Sequence, residues 1–162
     1  FWNGHIPWIS SADIEKDNIK TIRHFLTDLA LINSSTNLVP ANSVLVVTRT
    51  GLGKVVVVDQ DICFSQDITG LKLKPEYEPD FVASAIRIKK NEIKKEARGA
   101  TIKGVTRKVI ENLDVPFVSL KQQKIFVEKL QSVNKLKKLF NQKAEAVNKM
   151  YFSLKHQLFA MN

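Results

Sequence analysis

Residues 43–58 read Ser43-Val-Leu-Val-Val-Thr48, then Arg49-Thr-Gly-Leu-Gly53, then Lys54-Val-Val-Val-Val58. Two β-branched runs joined by a short segment with two glycines predict a β-hairpin. The valines are unbroken rather than alternating with polar residues, so both strands are expected to be buried on both faces. Upstream, His5-Ile-Pro-Trp-Ile9 reads as a short strand, with Pro7 favouring a sheet edge. Ile22, Phe25, Leu26 and Leu29 follow at the spacing of one helix face. Downstream, further strands are expected at 62–65 and 70–73.

From Pro79 the period changes. Phe81, Ala85 and Ile88 recur at helical spacing, Pro79 suits a first helical turn, and Gly99 is a plausible stop. A second short helix is expected to start at Thr106 as N-cap, and 115–118 to form a strand. Residues 1–118 are therefore expected to form one mixed α/β (α+β) domain.

Residues 119–162 open differently. Ser119 with Gln122 three residues on is a capping box, and neither Gly nor Pro occurs between Leu120 and Asn162. Phe126, Val133, Phe140, Val147 and Leu154 repeat every seven residues, and Leu130, Lys137, Ala144, Tyr151 and Leu158 lie four residues after each. This is a five-heptad coiled-coil seam with one polar position, Lys137. Such a helix is roughly 60 Å long at 1.5 Å per residue. It needs another long helix as partner, and this chain has no second one.

Composition narrows the class. With 44% apolar and 25% charged residues the 162-residue chain is ordinary globular sequence. Its apolar runs are too short to span a bilayer, no secretory n-region or h-region opens it, and the lone Cys63 excludes an intrachain disulfide. These features predict a soluble cytoplasmic protein. The net charge is +9, and it is polarised: residues 1–84 carry 7 Lys/Arg against 10 Asp/Glu, residues 85–162 carry 18 against 6. That asymmetry points to a polyanion, nucleic acid before membrane.

Several motifs dissolve on inspection. Gly51-Leu-Gly-Lys54 lacks the spacing, the Ser/Thr and the following helix of a phosphate loop. Pro79-Asp80 with Glu92-Ile-Lys94 matches a nuclease pattern formally, but both halves fall on one predicted helix, roughly 18 Å apart at helical rise. His5, His24 and His156 are scattered, Cys63 lies mid-strand, and Asp59 and Asp61 flank a turn. No catalytic residue, metal site or cofactor is expected.

The stretch 87–108 is different in kind. Arg87, Lys90, Lys94 and Arg98 share one face of the predicted helix, and Thr101, Lys103 and Arg107 lie beside them with two loop glycines. The hairpin tip adds Thr48, Arg49, Thr50 and Lys54. Arg pairs bidentate with guanine O6 and N7; the other reading of Arg49 is a structural pair with a carboxylate such as Asp59 or Asp61.

Three blocks carry a family resemblance. Trp2-Asn-Gly-His-Ile-Pro-Trp-Ile-Ser10 resembles the W-x-G-x-I-P-W-I/V-S/T opening of target-recognition domains in specificity subunits of type I restriction–modification enzymes. Residues 34–49, followed by Gly53-Lys54-Val-Val-Val, resemble that family's N-S-S-x-x-L-x-P-x-G/N-S-V-L block, and 99–106 with 115–123 resemble its junction into a conserved helix. The family normally carries two such domains and two such helices, so this chain is read as a fragment or a half-sized subunit.

The resemblance implies a non-catalytic DNA-binding domain, 1–118, that reads half of a bipartite double-stranded target. It implies a helix, 119–162, that pairs with another as spacer and dock. The implied partners are methyltransferase subunits, which hold S-adenosylmethionine, and a restriction/translocase subunit; the expected association through the helix is a homodimer or pairing with a second half. The rival is the recognition half of a fused DNA adenine-N6 methyltransferase.

Overall fold

A computed structural model describes residues 1–99, 101 and 103–159. The hairpin is present as β6 (Val44–Val47) and β7 (Val55–Val57), antiparallel, with Val44 opposite Val57 and Val46 opposite Val55. On its other side β6 pairs antiparallel with β9 (Ile68–Leu71), making a three-stranded sheet β7-β6-β9. A second sheet has the order β4-β1-β8-β5, from β4 (His24–Leu26), β1 (Trp2–Ile9), β8 (Ile62–Phe64) and β5 (Asn37–Val39). A short ribbon of β2 (Ile14–Glu15) and β3 (Asn18–Ile19) completes the β structure of the described residues.

Alternate side chains of the hairpin feed two separate cores. Leu45, Val47, Val56 and Val58 pack with Ile9, Val39, Ile62 and Ile68, between the two larger sheets. Val44, Val46 and Val55 face Val82, Ala83 and Ile86 of α2 (Pro79–Ile88), Ile93 of α3 (Lys90–Lys95) and Ile110 of α4 (Arg107–Glu111). All four residues of β6 are 0% exposed. The expectation of strands buried on both faces is met because one face meets sheet and the other meets helix.

Three expectations change. Pro7 does not lie on an edge strand: β1 runs between β4 and β8. The proline is tolerated because pairing with β8 involves only Trp8 and Ile9, leaving its missing N–H without consequence there. The helix expected around Ile22, Phe25, Leu26 and Leu29 is instead strand β4 followed by the short α1 (Asp28–Asn33), since pairing of β4 with β1 outweighs a four-residue periodicity. Residues 115–118 form no strand; Pro116 has no N–H to give a ladder, and Phe117 is 74% exposed.

Gly4 explains part of the opening motif. A Cβ there would lie 2.0 Å from the Leu26 carbonyl oxygen, at the register shift between Trp2 and Ile6 where β1 passes β4.

The chain divides into two compact units, Phe1–Gln123 and a second from Lys124 onward. Helix α5 (Leu120–Phe159) is 40 residues long and begins inside the first unit; residues 160–162 of the expected helix lie outside the described residues. Ser119 caps it as expected. Its N–H donates to Gln122 Oε1 at 3.2 Å, and its hydroxyl accepts from the Gln122 N–H at 3.4 Å. Gln123 is the stronger anchor. It is 0% exposed, its Oε1 accepts from the Glu78 N–H at 2.8 Å, and its Nε2 donates to the carbonyls of Glu76 and Val118 at 3.0 and 2.8 Å.

Gln123→Ala strands one buried donor and two acceptors, and should lower the unfolding free energy by about 2–4 kcal/mol. Urea unfolding measures this; a loss below 0.5 kcal/mol, roughly the level of a neutral surface change, would contradict it.

Candidate nucleic-acid interface

Beyond β6 the chain leaves the core as a seven-residue tip, 48–54. Its backbone bends through Thr50 (φ 34°), Gly51 (φ 103°) and Gly53 (φ 84°). A β-branched residue seldom adopts a positive φ, so Thr50 is held there by its neighbours. The tip closes on itself through the Gly53 N–H on the Val47 carbonyl and the Val47 N–H on the Lys54 carbonyl, each at 2.9 Å.

A second loop lies against the tip. Arg98 and Gly104 exchange backbone hydrogen bonds at 2.9 and 3.0 Å, and the Val105 N–H donates to the Thr48 carbonyl at 2.9 Å. Thr50, Gly51 and Leu52 of the tip, Lys94 and Ala97, and Thr101 and Lys103 together line one open depression of about 710 Å³. Arg49 and Arg98 line an adjoining one with Glu96 and Gly104. The stem of Lys90 lies beside Gly53, where an added Cβ would be 2.9 Å from its Cγ. Arg49, Thr50, Lys90, Lys94, Arg98, Thr101 and Lys103 are thus brought to one end of the first unit, and all are exposed.

They do not share a helix face. The single helix expected from Pro79 to Gly99 breaks at Lys89, whose N–H reaches the Ile86 carbonyl at 3.0 Å in a tightened, 3₁₀-type turn. Arg87 therefore belongs to α2, Lys90 and Lys94 to α3, and Arg98 to the loop beyond it.

The remaining candidates are placed elsewhere. Thr48 is buried, and its hydroxyl donates to the Asp67 carbonyl at 3.2 Å. Lys54 donates to the carbonyls of Ser11 and Ile14 at 3.2 and 2.7 Å. Those carbonyls belong to a turn that Asp13 caps. Burial raises the Asp13 carboxyl, but hydrogen bonds from the Ser10 N–H and hydroxyl and from Arg23 bring it below the usual carboxylate range. Arg87 donates to the Val55 carbonyl at 2.9 Å and faces Asp17 at 3.4 Å. Arg107 pairs with Glu111 at 2.7 Å and lines a separate depression with Lys72. Arg49 faces a carboxylate, as its structural reading anticipated, but that of Asp67 at 3.8 Å rather than Asp59 or Asp61.

Among the described residues no group of three or more His, Cys, Asp or Glu could hold a metal ion. His24 packs against the rings of Trp2 and Trp8, and burial pushes the Cys63 thiol up, away from a reactive thiolate. Asp80 and Glu92 lie on α2 and α3 rather than on a strand. Among the described residues no helix is long and apolar enough to cross a membrane.

In the second unit the seam is open: Val133, Phe140, Val147, Tyr151, Leu154 and Leu158 are 59–71% exposed. Lys137 and Ala144 are exposed, Phe126 is 40% exposed and Leu130 half-buried. Leu136 and Met150, one residue before Lys137 and Tyr151, are also exposed and widen the stripe beyond the seam.

The first unit is thus a mixed α/β domain whose hairpin tip is surrounded by exposed cations, and one long helix follows it in the chain. The family model described as "Type I restriction modification DNA specificity domain" matches residues 2–149, and the chain belongs to that family. The Type I restriction enzyme EcoR124I/EcoR124II specificity subunit of Escherichia coli is 27% identical over 143 residues, covering 84% of this chain and 35% of that protein. The HsdS subunit from Thermoanaerobacter tengcongensis shares the fold at a TM-score of 0.66 and 18% identity, over 83% of this chain and 31% of that one. A chain from a structural study of complex assembly and conformational transition of the type I R-M system gives 0.68 at 18% identity, over 83% and 32%. The chain spans about a third of the length of these relatives.

Proposed function

We propose that this chain is a target-recognition domain with its conserved helix, the DNA-reading part of a type I restriction–modification specificity subunit, and that it reads one half of a bipartite target. The observation that carries this is the gathering of Lys90, Lys94, Arg98 and Lys103, from α3 and the loop that follows it, around the hairpin tip, a stretch some forty residues earlier in the chain. Cations of this kind position a duplex by its phosphates, and in this reading Arg49 and Thr50 of the tip, with Thr101 beside it, meet base edges.

The chain performs no catalysis in this reading. Methyl transfer belongs to the methyltransferase subunits, and ATP-driven translocation and cleavage to a restriction subunit. Helix α5 pairs with a second such helix along the seam, and the wider stripe with Leu136 and Met150 leaves apolar surface on which the methyltransferase subunits dock. The rival reading, a fused adenine methyltransferase, has less support, because the specificity-domain match runs to residue 149, well into α5.

The test is the salt dependence of duplex binding. Replacing Lys90, Lys94, Arg98 and Lys103 together by Ala should reduce the log–log slope by about 0.9 for every phosphate no longer neutralised, on cognate and scrambled duplexes alike. Arg87→Ala should instead lower the melting temperature and leave the slope unchanged. An unaltered slope in the quadruple variant would remove the phosphate role.

For the helix, sedimentation at tens of micromolar should show a dimer that dissociates when Val147 and Leu154 become Asp. A monomer of the unaltered chain would contradict the pairing.

A further inference from the structure

We propose that Asp67 is a specificity-positioning residue: it orients Arg49 for base reading, with Gly104 as a second wall along the arginine stem. The proposal deepens the DNA-recognition reading and rests on it.

Asp67 stands immediately before β9, next to the end of β6. The β6–β9 ladder ends with Val47 opposite Ile68. One residue further on, a single oxygen takes over. The Asp67 main-chain carbonyl accepts from the Thr48 N–H at 2.8 Å, the Arg49 N–H at 3.3 Å and the Thr48 hydroxyl at 3.2 Å. The backbone that launches Arg49 is thereby fixed to the sheet.

The side chain of the same residue faces the guanidinium. Asp67 Oδ1 is 3.8 Å from Arg49 Nε, with the Asp67 side chain 22% and the Arg49 side chain 48% exposed. A carboxylate on the Nε side leaves the two Nη groups, the fork that matches guanine O6 and N7.

Nearer its base the Arg49 stem crosses bare backbone. A Cβ added to Gly104 would fall 2.6 Å from Arg49 Cγ and 3.0 Å from the Thr48 carbonyl oxygen. Gly104 cannot retreat easily, being hydrogen-bonded twice to Arg98, with its neighbour Val105 bonded to Thr48. Arg49 thus has a carboxylate near its head and a main-chain wall against its stem, the kind of support that favours one geometry of a reading side chain.

Charge sharpens the distinction. A carboxylate beside a duplex repels phosphate, so as a plain surface group Asp67 would only weaken binding. As a positioner it exchanges some general affinity for discrimination. The two roles predict opposite signs.

The experiment uses the full chain, with its helix partner, on the duplex best enriched from a randomised pool and on a scrambled duplex of equal length. Asp67→Asn keeps the clamping carbonyl and the side-chain shape. It should cut the cognate-to-scrambled affinity ratio about tenfold, within the range that a single bidentate Arg–guanine pair provides, with scrambled binding equal or tighter. Gly104→Ala should lower the ratio without any change of charge. In an Arg49→Ala background, neither substitution should lower it further.

Equal tightening of both duplexes by Asp67→Asn, with the ratio unchanged, would overturn the proposal, as would equal weakening of both with a lower melting temperature. If Arg49→Ala lowers the ratio and Asp67→Asn does not, the positioning role falls while the base-reading role stands. If Arg49→Ala leaves the ratio unchanged, both fall.

Discussion

The structure depends on strand β6 having no side turned to water. Val44 and Val46 feed a core shared with three helices, Leu45 and Val47 a core shared with a second sheet, and all four are fully excluded from solvent. At about 1.5–3 kcal/mol for each buried aliphatic side chain, the strand is the energetic centre of the first unit. Double burial also creates a difficulty. An alternating strand resists slippage because a one-residue shift exposes its apolar set, whereas a strand apolar on both faces has no such penalty. Polar bonds around the tip supply the missing register. The Asp67 carbonyl holds Thr48, Gly53 closes on Val47, Lys54 takes two carbonyls of the preceding turn, and Asp17 accepts the Val55 N–H at 3.0 Å. The clamps that fix the register are therefore also the ones that make the tip rigid.

That double duty divides the cations. Lys54 and Arg87 direct their charge at backbone carbonyls, where they hold the hairpin and α2 in place. Lys90, Lys94, Arg98 and Lys103 are exposed around the tip, where in the proposed reading they meet the DNA. Composition counts both groups alike, although only the second leaves its charge at the surface. The net +12 of residues 85–162 overstates the charge left free at the surface, because Arg87 is turned to the Val55 carbonyl and Asp17 and Arg107 is paired with Glu111.

Local signals with strong chemistry are legible directly: the valine hairpin, the Thr106 start of α4, the Ser119 capping box and the long heptad helix. Signals that depend on distant partners are not. Pro7 looks like an edge residue until β8 is seen to pair only beyond it. The periodicity at Ile22–Leu29 carries no trace of the strand that claims His24–Leu26. The break at Lys89 leaves no proline or glycine to betray it, so the cationic stretch reads as one helix face. Gln123 closes the family's junction motif, but its three buried hydrogen bonds reach residues as far back as Glu76, which no spacing rule reports. Asp67 is silent in the sequence for the same reason: its partners lie across a strand pairing.

In the proposed reading the hairpin tip forms one DNA-facing surface with Lys90, Lys94, Arg98, Thr101 and Lys103. Lysine acetylation footprinting, with and without bound duplex, tests it in one measurement. The account predicts that Lys90, Lys94 and Lys103 lose reactivity when duplex is bound, while exposed Lys16, Lys72 and Lys74 react equally in both states. Protection of Lys72 and Lys74, with Lys90, Lys94 and Lys103 still reactive, would place the DNA elsewhere and contradict it.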